Sequence, residues 1–112
     1  MRVGGTMTTY CIYMATHPDG SRYYGLTTKG LKYAKEQHRL SSYNSGGHTS
    51  YTGLSMYAYQ TKTPVSKWRF TQLYIVYDRA LAFKLKRSLV EVDTVCLNIK
   101  YKHSYMRFQH DI

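Results

Sequence analysis

Acidic residues are scarce in this chain: 6 of 112 positions are Asp or Glu, against 16 Lys or Arg, leaving a formal net charge of +10. Asp19, Glu36, Asp78, Glu91, Asp93 and Asp111 are scattered. That excludes a two-metal centre, because two dications need several carboxylates around one point. Cysteine is scarce too. Cys11 and Cys96 lie far apart with no C-x-x-C pair, so free thiols are expected rather than a zinc site or disulfide framework. No apolar run approaches the ~20 residues of a membrane span, and MRVGGTMTTY holds no apolar leader core, so a cytoplasmic protein without membrane association is expected. There is no G-x-G-x-x-G, G-x-x-x-x-G-K-[ST] or G-x-S-x-G, which removes the motif basis for a nucleotide cradle or a serine hydrolase.

What is abundant is tyrosine, at 13 positions, mixed with the basic residues. Lysine and arginine suit phosphate contacts, and aromatic rings suit stacking on bases or sugars, so a polyanionic partner is the natural reading. A basic protein whose charge only keeps it soluble, in a protein-interaction role, is the plain alternative.

The length fits one domain over 1–112, with a core at about 9–98 and a basic aromatic tail at 99–112. Residues 8–15 read as a strand, His17 to Ser21 as a turn around Pro18 and Gly20, and Arg22 to Leu26 as the returning strand of a hairpin. A helix is expected over roughly 30–41, a loop over 42–49, and a short helix over 50–60 ended by Pro64. Phe70 to Tyr77 is nearly continuous in apolar residues and reads as a central strand. Asp78 then caps a helix to about Val95, with Leu81, Leu85, Leu89 and Val92 forming a core-facing stripe. The expected class is α+β: a small three-stranded antiparallel sheet flanked by helices, in the order β-β-α-α-β-α.

Several residues could carry chemistry. Across the hairpin, Tyr13 and Tyr23 can bring their phenols together, although for an arbitrary hairpin a packed aromatic pair is the better reading. His38, in KEQHRL, suits proton transfer or a phosphate contact, yet a lone histidine on a basic helix is more often surface or packing. Gly46-Gly47-His48 reads as a flexible loop. Glu91 lies off the leucine stripe with Arg87 and Lys84 on its face, and spacing alone favours an exposed Arg87–Glu91 ion pair. Asp93 reads as solvated surface.

In this order, the features resemble the GIY-YIG nuclease family. Cys11-Ile12-Tyr13 looks like the first triplet and Tyr23-Tyr24-Gly25 like the second. His38 matches the histidine of the first helix, His48 a second histidine of phage-type members, and Glu91 the metal-binding glutamate. The resemblance implies a phage or homing type of DNA endonuclease in a bacterial or phage-infected cell. It would hydrolyse phosphodiesters of double-stranded DNA with one Mg²⁺ or Mn²⁺ on Glu91. Tyr13 would be the general base, Tyr23 would position water and phosphate, and His38 would bond to or relay for Tyr13. Lys32, Arg39, His48, Lys84 and Arg87 would contact DNA. A monomer or weak dimer is implied, with specificity from a protein partner or an extension. Ala34 stands where the family has its arginine, with Lys35, Lys32 and Arg39 as substitute cations. Asn98 or Met106 would supply the family's late asparagine position. A non-catalytic nucleic-acid-binding module on the same fold is the alternative reading.

Overall fold

β-Branched and aromatic residues run through Tyr10–Thr16, which forms strand β1. The reversal after it is closed locally: His17 N donates to Ser21 O and Gly20 N to His17 O, each at 2.8 Å. Asp19 Oδ1 accepts from Ser21 N at 2.8 Å, and Gly20 takes φ of 96°, which a residue without a Cβ adopts cheaply. Strand β2, Arg22–Thr27, returns antiparallel. The computed structural model describes residues 8–43 and 52–100; His48 and Met106 lie outside the described residues. There the order continues as α1 (Leu31–Tyr43), α2 (Gly53–Thr61), a 3-10 turn at Val65–Lys67, β3 (Arg69–Val76), α3 (Arg79–Val92) and α4 (Leu97–Lys100). The result is an α+β fold with a three-stranded antiparallel sheet. The short α4 was not expected from the sequence.

The sheet order is β2-β1-β3. The central strand is therefore β1, and β3, expected at the centre, is an edge strand. Its exposure agrees, with Tyr74 at 46% and Ile75 at 39%. An apolar run signals a preference for extended structure, not how many neighbours the strand acquires. The hairpin occupies one side of β1 and leaves the other for β3, whose register slips by one residue at the Ile12/Tyr13 step. Leu73 is the extra residue of this bulge.

Cys11, Ile12 and Tyr13 are buried in succession, so β1 is covered on both faces. On the Tyr13 face, Ala15 and Tyr23 join Leu54, Ala58, Val65, Trp68 and Leu97 in the main core. Strand β2 presents Tyr24 to the opposite face, where its hydroxyl donates to Asp93 Oδ2 at 2.8 Å. The outer edge of β2 is closed by Asn98, whose Oδ1 accepts from Tyr24 N at 2.8 Å and whose Nδ2 donates to Tyr24 O at 2.7 Å.

Helix α3 starts as expected, with Asp78 Oδ2 accepting from Leu81 N at 2.8 Å. Its buried face includes only half of the expected leucine stripe, Leu85 and Leu89. Leu81 is 44% exposed and Val92 84%, whereas Ala82 is fully buried and Leu85, Lys86 and Leu89 are half-buried. The small side chain of Ala82 permits a close approach to the sheet, and the buried face is centred around it with Leu85 and Leu89 alongside. Asp93 is likewise not solvated surface: it ends α3 and accepts from Arg22 Nε and, at 2.8 Å, from Arg22 Nη2. No helix among the described residues is long and apolar enough to cross a membrane.

Candidate functional site

The hairpin register decides where the tyrosines meet. Tyr13 pairs with Gly25, and Tyr23 with Ala15, so the two tyrosines are diagonal neighbours on one face rather than directly opposed. The Tyr13 ring lies over Gly25: a Cβ built there would stand 2.2 Å from both Cζ and the hydroxyl oxygen. Glycine at the end of the second triplet thus makes room for the phenol of the first.

Helix α1 supplies the next layer. Ala34 and His38, one turn apart, are both buried. Ala34 packs with Cys11 and Tyr13, and Leu31 and Phe70 close the same cluster. His38 Nε2 lies 2.7 Å from the Tyr13 hydroxyl, and its ring meets Tyr23 edge-on at 5.4 Å between centroids. His38 Nδ1 lies 3.3 Å from Thr52 Oγ1. Thr52 caps α2 by accepting from Ser55 N at 3.1 Å, while Ser55 Oγ accepts from Thr52 N at 2.9 Å. One proton arrangement satisfies this chain: Tyr13 donates to Nε2, Nδ1–H donates to Thr52 Oγ1, and Thr52 donates to Ser55 Oγ.

Burial sets the electrostatics of the pair. It pushes the Tyr13 phenol well above its ordinary value, with the nearby Tyr23 and Cys11 adding to the effect. It also lowers His38 from 6.5 to about 4, helped by the positive charge of Lys86. At neutral pH this is a neutral tyrosine bonded to a neutral imidazole. Lys86 itself is lowered by burial.

The α3 charge within electrostatic reach of His38 is therefore Lys86. Glu91 is exposed, five residues further on and turned about 140° around the helix. Among the described residues it forms no ion pair with Arg87 or any other cation, so the expected Arg87–Glu91 pair is not made. A hard cation needs carboxylate or other oxygen ligands. Glu91 would be the single carboxylate for the expected Mg²⁺ or Mn²⁺; no group of three or more His, Cys, Asp or Glu that could hold a metal occurs among the described residues.

The other candidate contacts divide between two surfaces. Lys32, Lys35 and Arg39 line a groove of about 560 Å³ with Lys29, Tyr33 and Glu36. Arg39 Nε also donates to Glu36 at 2.9 Å. Lys35 approaches the centre at one remove: its Nζ is 5.7 Å from the Phe70 ring, which lies 5.7 Å from the Tyr13 ring. Lys84 and Arg87 line a groove of about 580 Å³ with Arg79 and Phe83.

Four contributors were missed in the sequence: Thr52, Ser55, Lys86 and Asp93. The T-x-x-S spacing before α2 is a capping-box signal for the first two. Lys86 lies four residues after Ala82, so a stripe anchored on alanine finds it. Asp93 carried no local signal, because its partners Arg22 and Tyr24 are about 70 positions away. Cys11 and Cys96 are free and buried. No family model matches the chain, no curated protein does, and no solved structure does.

Proposed function

We propose that this chain is a nucleic-acid-binding domain built on a GIY-YIG-type hairpin, and that its tyrosine–histidine centre does not carry out metal-dependent cleavage. The observation that supports this most directly is the depth of the centre: Tyr13 and His38 are buried and lie 2.7 Å apart, while Glu91 is exposed on α3. Two further features agree. Ala34 packs beneath Tyr13 where the nuclease reading requires a guanidinium, and burial keeps the Tyr13 phenol protonated. A general base must lose its proton near the working pH, and nothing around Tyr13 favours that. The net charge of +10 and the two basic grooves supply the attraction for a phosphate backbone.

The endonuclease reading keeps one specific support, the 2.7 Å contact between the Tyr13 hydroxyl and His38. A gel-shift titration in EDTA, run beside a supercoiled-plasmid assay with Mg²⁺ or Mn²⁺, separates the two. The expected result is salt-sensitive binding in EDTA and a plasmid left supercoiled with either metal. Nicking that needs the metal and disappears in Tyr13→Phe would establish the endonuclease instead. Absence of any nucleic-acid binding at low salt would remove both readings and leave the protein-interaction role.

A further inference from the structure

The two grooves beside α1 differ from the α3 groove in composition and continuity. The 560 Å³ groove and a second of about 530 Å³, bordered by Tyr59, Lys62 and Pro64, share Arg39, Val65 and Ser66 in their walls. The two adjoin at these residues along α1 and the α2–β3 connection, and together make up one basic channel face. Among the described residues its borders carry Lys29, Lys32, Lys35, Arg39 and Lys62 against Glu36. Two exposed rings punctuate it, Tyr33 at 43% and Tyr59 at 60%. Lys29 Nζ lies over the Tyr33 ring, 5.0 Å from its centre, so a cation covers one face of the ring and leaves the other for stacking.

We propose that this channel binds single-stranded nucleic acid, with Tyr33 and Tyr59 stacking on unpaired bases and the lysines following the backbone. The inference rests on the nucleic-acid-binding reading above and adds the form of the ligand. Paired bases in a duplex hide their faces from the protein, so exposed rings between cations give a duplex no stacking advantage. A single strand presents both a base face and a phosphate at each nucleotide, and base–aromatic stacking tolerates any sequence.

The test is fluorescence anisotropy with a labelled DNA oligonucleotide, supplied as a single strand and as its duplex, in EDTA at several salt concentrations. The wild-type chain is expected to bind the single strand at least about tenfold more tightly than the duplex. Tyr33→Ala and Tyr59→Ala each weaken single-strand binding by about fivefold or more, the ratio expected for one lost stacking contact. They leave duplex binding unchanged, whereas Tyr33→Phe and Tyr59→Phe retain the single-strand affinity. Lys32→Ala weakens both forms and lowers the salt slope by about one. Equal or tighter binding of the duplex, or tyrosine variants that match wild type while Lys32→Ala weakens binding, would overturn the single-strand inference and leave the broader function standing. No binding of either form overturns both. Circular dichroism of each variant distinguishes lost contacts from lost folding.

Discussion

The ring of Tyr13 occupies the space that a side chain at Gly25 would fill. This relationship links the two triplets of the hairpin more tightly than a cross-strand pair of tyrosines would, since neither residue can change size independently. Gly25→Ala is expected to destabilise the fold by about 1–3 kcal/mol, the usual cost of overpacking. A urea titration measures it. Pairing Gly25→Ala with Tyr13→Ala should cost less than the sum of the single changes, because the second removes the clash; strict additivity would show that the two side chains do not compete for space.

His38 makes the fold sensitive to acid. Its folded value is depressed from 6.5 to about 4, so between those values the unfolded chain binds the extra proton. Stability therefore rises with pH across that window and is lost as pH falls through it. The loss is of the order of 3 kcal/mol between neutral pH and pH 4, arising in a side chain that meets Tyr13, Tyr23 and Thr52 and feels Lys86. His38→Gln should flatten that part of the pH–stability curve. An unchanged slope in the variant would assign the acid sensitivity elsewhere.

Lys86 is held below its ordinary value by burial, so its charge disfavours the folded state. Lys86→Met keeps the length and removes the charge, and is expected to raise stability by about 1 kcal/mol. The same substitution should move the His38 titration upward, toward its ordinary value, as followed by NMR of the imidazole protons. A downward or absent shift would show that Lys86 does not act on His38.

Asp93 holds two elements at once. Its carboxylate takes both arms of Arg22 and the hydroxyl of Tyr24, and these partners, Arg22 first, keep it below the ordinary carboxylate range. The stability it contributes is present above its unfolded value and is lost as pH falls through the folded one. Asp93→Asn is expected to cost about 2 kcal/mol at neutral pH, read as a lower thermal midpoint. Adding Arg22→Met should cost little more, since its partner has already gone.

Much of the framework was legible because its signals are local. Pro18, Asp19 and Gly20 give a turn, Asp78 gives a helix start, and Pro64 follows the end of α2. The features that were misread depend on packing between distant segments. Phe70 to Tyr77 is apolar enough for a central strand, but sheet order depends on which side of β1 the hairpin leaves open. The leucines of α3 suggested its buried face, and Leu85 and Leu89 do lie on it, yet the most deeply buried residue is the smaller Ala82, while Leu81 and Val92 are exposed. Tyr13 and His38 were legible as chemical groups; their depth was not, because it arises from Ala34, Phe70 and the capped start of α2 closing around them.

Asn98 has one consequence for how copies of this chain can meet. An edge strand is a template for further strands when its outward amide and carbonyl lack partners. Asn98 fills both positions at Tyr24 with a single side chain. A strand approaching β2 would have to displace α4 before it could form a ladder there. Extension of the sheet by a second molecule at this point of β2 is thus guarded from within the chain.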